Sequence, residues 1–164
     1  MAKKHKAVRI LFLTLILMFT LTACTVDTKY PGTQHVIEAS QVGKEYLAGG
    51  KVIVIDAREA EAYAKGHLKG AINLTPAELS VGTPVPGLLA PKSQIESVLS
   101  AKGISNDSII YVYDDNGGVY SGRVWWVLKV YGHENVMMVN GGSKALVKEK
   151  LELSADATVL PATT

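Results

Sequence analysis

Three groups of side chains in this sequence are of types that do chemistry: a thiol at Cys24, adjacent carboxylates at Asp114 and Asp115, and an imidazole at His67. A thiol is a nucleophile or an acylation site, and Cys24 is the only cysteine among 164 residues. Neighbouring carboxylates suggest a cation, but a calcium-type site takes about six to eight oxygens, and no D-x-D or D-x-N-x-D-G pattern accompanies this pair. Asp114-Asp115-Asn116-Gly117-Gly118 predicts a turn instead, since Asp and Asn bond their own backbone and Gly accepts positive φ. Arg123, just beyond that turn, is read either as holding a small anion there or as pairing with Asp114 or Asp115. His67 lacks spaced partners, because His5, His35 and His133 lie at irregular intervals. A hydrogen-bonded turn residue is therefore expected at His67, with no metal and no cofactor.

The position of Cys24 gives it a different role from catalysis. Lys3, Lys4, Lys6 and Arg9 precede the mostly apolar run 10–23, which is 14 residues long and shorter than the roughly 20 residues that span a bilayer as a helix. Leu21-Thr22-Ala23-Cys24 resembles the bacterial lipobox, where a diacylglyceryl group is added to the cysteine and the leader is cut ahead of it. The expectation is a lipoprotein signal peptide over 1–23, an acylated Cys24 carrying palmitate-type chains, a tether over 24–34 broken by Pro31 and Gly32, and residence on the outer face of a bacterial cell membrane. Membrane lipid is then a partner, since two acyl chains anchor stably where one does not. Four of the 17 basic residues lie in the leader and all 15 acidic residues lie beyond it, so the mature part carries a net charge of −2. That balance offers no electrostatic case for nucleic acid.

The rest of the chain must position Asp114 and its neighbours. Lys51 to Ile55, Ile109 to Tyr113 and Val136 to Val139 are short β-branched or apolar runs, as strands covered on both faces require. Helices are expected over Gln41 to Leu47, capped by Ser40, over Gln94 to Ala101, opened by Pro91 or Ser93, and over Tyr120 to Tyr131. The last is apolar almost all round, which predicts burial against the sheet, with Trp125 and Trp126 in the core. Gly82 to Pro91 reads as a proline-rich surface loop. Alternation of strands and helices predicts an α/β fold in one domain over 35–153, with sites at the carboxyl ends of parallel strands, where Asp56 and Asp114 fall.

Asp56-Ala57-Arg58, Tyr63 and Gly66-His67-Leu68-Lys69-Gly70-Ala71 resemble the D-x-R, aromatic, G-H-I-x-G-A signature of rhodanese-like domains. Ser121-Gly122-Arg123, Trp125-Trp126, Gly132-His133 and Asn140-Gly141-Gly142 resemble later landmarks of that family, and the likeness runs from about Val36 to Leu153. It implies a mainly parallel central sheet of about five strands with helices on both faces. It also implies a structural role for Asp56, Arg58, Tyr63, Gly66, His67 and Gly70. Active members carry sulfur as a persulfide on a cysteine that matches Asp114 here, in a loop whose backbone N–H groups favour an anion. A carboxylate cannot accept sulfane sulfur, so the loop Asp114, Asp115, Asn116, Gly117, Gly118, Ser121 and Arg123 is expected to be catalytically degenerate. The chain resembles in particular the N-terminal, cysteine-free half of tandem sulfurtransferases. A second rhodanese domain is thus a candidate partner, residues 154–164 read as linker-like, and the alternative is a thiosulfate sulfurtransferase whose cysteine lies in a further domain.

Overall fold

The structure is a computed structural model that describes residues 35–47 and 52–163. The leader, Cys24 and the tether lie outside the described residues. Five strands make the central sheet: β1 (Val36–Glu38), β2 (Val52–Asp56), β4 (Ile72–Asn73), β7 (Ile109–Tyr113) and β8 (Val136–Asn140). Their order is β1-β8-β7-β2-β4, and every pair is parallel. All five carboxyl ends consequently share one edge of the sheet, with Asp56 ending β2 and Asp114 following β7 directly. Two small antiparallel pairs complete the strands: β3 (His67–Leu68) with β9 (Leu153–Ser154), and β5 (Ser80–Val81) with β6 (Leu88–Leu89). The α/β class and the five-strand parallel sheet expected from the sequence are both present.

Burial on both faces explains why the strands read as continuous apolar runs. Along β7, Ile110 and Val112 point to one layer, where α3 (Lys92–Ala101) supplies Ile95 and α4 (Val119–Val130) supplies Val124, Val127 and Leu128. Tyr111 and Tyr113 point the other way, to α1 (Ala39–Leu47) through Val42 and to α5 (Gly142–Lys148) through Leu146. Strand β2 alternates in step, with Ile55 on the first side and Val54 on the second. Each such fully buried aliphatic side chain contributes about 1.5–3 kcal/mol. A short helix, α2 (Ala60–Lys65), and a 3₁₀ turn over Pro76–Leu79 follow β2 and β4. The 3₁₀ turn is closed by a capping box in which Thr75 and Glu78 bond each other's backbone N–H.

Three expectations need correction. Helix α1 begins at Ala39, which places Ser40 inside it and not at its cap. The loop 82–91 contains strand β6, because Ser80 and Val81 find partners in Leu89 and Leu88. Helix α4 is not buried all round: Val119, Trp126 and Val130 are 62 %, 42 % and 50 % exposed, so Trp126 is not a core residue. A helix lying on a sheet covers one side only, and among the described residues no further layer covers the other. Trp125 does pack inward, its indole N–H donating to the Val136 carbonyl at 3.2 Å.

Residues 154–163, read from the sequence as linker-like, run along the domain. The Thr158 N–H donates to the Tyr63 hydroxyl at 2.9 Å, and Leu160 packs against the core cluster on the α3 and α4 side. Thr163 donates its N–H to the Ser100 carbonyl at 2.9 Å and its hydroxyl to the Ile104 carbonyl at 3.0 Å.

Candidate functional site

The turn after β7 folds Asp114 back under the amino end of α4. Gly117 and Gly118 have φ of +65° and +91°, values that L side chains rarely adopt, and they bring successive backbone N–H groups round the carboxylate. Oδ1 accepts from the N–H groups of Asn116 (3.1 Å) and Gly118 (3.0 Å). Oδ2 accepts from those of Tyr120 (2.8 Å) and Ser121 (2.9 Å) and from the Ser121 hydroxyl at 3.2 Å. Five donors thus converge on one side chain that is only 2 % exposed. Such a ring is an anion cradle, completed by the positive end of a 12-residue helix. Burial pushes the Asp114 carboxyl up, but the N–H groups of Ser121, Gly118, Asn116 and Tyr120 outweigh it and hold the group below its ordinary value.

The loop after β8 locks this arrangement. Ser143 donates its N–H to the Asp114 carbonyl at 2.8 Å, and Gly142 packs so closely that a Cβ would overlap that carbonyl oxygen. Beside the turn lies a cleft of about 440 Å³, lined by Asp114, Asp115, Ser121, Asn140 and Lys144 among others. Because both oxygens of Asp114 are engaged by donors, the carboxylate is a weak base and a weak nucleophile. Its charge also repels any anion entering the cradle from that cleft.

Asp56 anchors a second network at the end of the neighbouring strand. Its carboxylate receives the Arg58 guanidinium through Nε at 2.9 Å to Oδ1 and Nη2 at 2.6 Å to Oδ2, and the Arg58 N–H at 3.0 Å. The Tyr113 hydroxyl donates to Oδ2 at 2.8 Å and accepts from the Leu68 N–H at 3.0 Å. Arg58 Nη2 also donates to the Gly66 carbonyl at 2.8 Å, and Asn73 donates to the carbonyls of Asp56 and Arg58. The bond to Asp56 raises the Arg58 guanidinium further above its ordinary value, against its own partial burial. Desolvation first, and the Asp56 charge next, push the Tyr113 phenol up, so it stays a neutral donor.

A sequence profile described as Rhodanese-like domain matches residues 39–149. The chain belongs to the rhodanese-like domain family. It is 37 % identical over 111 residues to a thiosulfate sulfurtransferase of Azotobacter vinelandii, covering 67 % of this chain and 41 % of that protein. It is 34 % identical over 122 residues to a thiosulfate sulfurtransferase of Pseudomonas aeruginosa, covering 74 % and 45 %. The chain therefore spans less than half the length of these curated relatives. Among solved structures, the 3-mercaptopyruvate sulfotransferase SseA from Escherichia coli is similar at a TM-score of 0.71 and 27 % identity, over 79 % of this chain and 53 % of that one.

In this rhodanese-like domain the other signature residues sit on one shoulder of the fold. Tyr63 in α2 donates its hydroxyl to the Ala71 carbonyl at 2.8 Å and stacks on His67 with centroids 3.6 Å apart. His67 is buried, its ring nitrogens 2.9 Å from the Tyr63 carbonyl and 3.1 Å from the Asp156 carbonyl. Gly70 lies in the turn between β3 and β4, directly under the Tyr46 hydroxyl, which donates to the Lys69 carbonyl at 2.7 Å. His133 bonds the Ser108 carbonyl at 2.8 Å past the end of α4.

Arg123 departs from the ion-pair reading of the sequence. It pairs with neither Asp114 nor Asp115; its Nη2 donates to the Gly87 carbonyl at 2.7 Å while its guanidinium stacks over Trp126 at 4.8 Å. The reason is direction: Asp114 faces inward to backbone donors, and Asp115 turns toward Arg58 at 3.6 Å. The sequence reading also passed over Tyr113 and Asn73, which complete the Asp56 network. Their polar ends at the close of apolar strands were the available signal.

Proposed function

We propose that this chain is a membrane-anchored, extracytoplasmic rhodanese-like domain that transfers no sulfur by itself and serves as the structural or binding half of a sulfurtransferase, resembling the cysteine-free half of tandem members. One observation carries the reading: the cradle that would stabilise a thiolate or persulfide is filled by the Asp114 carboxylate, which takes all five of its donors. Cys24, set ahead of the domain as an acylation site, is the chain's only thiol. The purified domain without its leader, given thiosulfate and cyanide, is expected to form no thiocyanate above the protein-free background. Turnover that scales with protein concentration would overturn the proposal.

The alternative is a thiosulfate sulfurtransferase that works only with a further, cysteine-bearing domain. It is favoured by the span of the match, since both quoted thiosulfate sulfurtransferases are more than twice as long as the matched region. Anchoring has its own test. Cys24→Ser is expected to release the protein from the membrane fraction, and a variant that stays membrane-bound through its leader would contradict the lipobox reading.

A further inference from the structure

Between Leu151 and Leu160 the chain crosses from one layer of the domain to the other, round an open edge of the sheet. Leu151 packs against the cluster that holds Val42 and Leu146, so close to Gly43 that a Cβ there would overlap it. Leu160 packs against the opposite cluster, which holds Ile95 and Ile104. Between the two lies β4, the last strand in the order β1-β8-β7-β2-β4, with no partner strand on its far side among the described residues. Residues 157–160 run along that edge: with Tyr63, and with Ile72 and Asn73 of β4, they line a cavity of about 220 Å³. A sheet edge left bare presents unpaired backbone groups, and covering it with a loop is one way in which proteins protect it.

Contacts hold the segment along its whole route. On the Leu151 side, Lys69 donates its N–H to the Glu152 carbonyl at 2.9 Å and β9 pairs with β3. At the crossing, a His67 ring nitrogen lies 3.1 Å from the Asp156 carbonyl, and the Thr158 N–H reaches the Tyr63 hydroxyl. On the far side Thr163 is held three ways, by the carbonyls of Ser100 and Ile104 and by the Ser100 hydroxyl, which donates to its own carbonyl. Gly103, with φ of +76°, makes room for the seat, since a Cβ there would overlap Leu160 and the Pro161 carbonyl. Most of these bonds engage main chain, and residues 154–163 carry one charged side chain, Asp156, so charge does not set the register. All of this lies beyond residues 39–149, the region matched by the family profile.

We propose that residues 151–163 form a belt that clamps the two helical layers together round the β4 edge, with its far end docked on a surface made by Ser100, Gly103 and Ile104. A free linker would leave stability unchanged when cut; a belt would not.

A chain that stops at Ser154 keeps β9 and loses the crossing. It is expected to unfold in urea at a midpoint about 1 M below that of the unaltered protein. Should the shortened chain not fold, Leu160→Asp in the full-length chain carries the test, with a midpoint lower by a similar amount. Amide hydrogen exchange then separates a clamp from a tail that merely sticks at one end. In the unaltered protein Thr158 and Thr163 are expected to exchange far more slowly than in a free peptide of residues 154–164. Leu160→Asp is expected to speed exchange of the Lys69 amide, on the opposite layer, by about tenfold or more, along with that of Thr163. A variant midpoint within about 0.2 M of the unaltered one, or Thr158 and Thr163 exchanging at the free-peptide rate, would overturn the belt. Release of Thr163 with Lys69 unchanged would overturn the clamp as well, because the two layers would then not be tied through this segment.

Discussion

Replacing Asp56 by alanine is expected to lower the stability of the domain by about 3–5 kcal/mol, the cost typical of breaking a buried ion pair from one side. Asp56 is fully buried and Arg58 is 12 % exposed, so the guanidinium left behind keeps the Gly66 carbonyl, the face of the Tyr113 ring at 5.8 Å and a long approach to Asp115. The buried Tyr113 hydroxyl loses its acceptor at the same time. Because Leu68 donates to that hydroxyl, the damage extends from β2 through β7 to β3. Urea unfolding followed by far-UV circular dichroism measures it as a lower midpoint at unchanged slope. A loss under about 1 kcal/mol would mean that the network is far less buried in solution than its geometry indicates.

Asp114→Asn is expected to cost about 2–3 kcal/mol near neutral pH, since hydrogen bonds to a charged group are worth about 1.5–3 kcal/mol and the amide turns an N–H₂ toward backbone donors. The pH dependence has a definite sign. The folded-state value of Asp114 lies below its ordinary 3.8, so the folded state binds its proton less readily than the unfolded chain. The stabilisation is fully present above that ordinary value and is lost as pH falls through the lower, folded one. Stability curves of the unaltered protein and of Asp114→Asn should therefore converge in acid, below about pH 4, and separate again on return to neutrality. Parallel curves across that window would show that the carboxylate charge is not what the cradle holds.

The parts of this molecule that were legible in the sequence are those governed by short-range periodicity. Ile109 to Tyr113 announces a strand covered on both sides because every second residue meets a different helical layer. The run of Asp114 to Gly118 announces a turn because its chemistry is local. Arg123 was misread because its partner, the Gly87 carbonyl, is brought near by the pairing of β5 with β6, which the sequence does not encode at any fixed spacing. Trp126 was misread for a related reason: periodicity tells how apolar a helix is, but not whether a second layer arrives to cover its far side. The inward turn of the Asp114 carboxylate was likewise hidden, since it depends on two successive positive-φ residues and on where α4 starts.

The carboxylate in the cradle also sets how this loop ages. A low-pKa thiolate held by the same donors would react with peroxide and pass through sulfenic to sulfinic and sulfonic forms, the last of them irreversible. A carboxylate has no such ladder to climb. The 114–121 loop accordingly keeps one chemical state in reducing and oxidising surroundings alike, and a reductant has nothing there to repair.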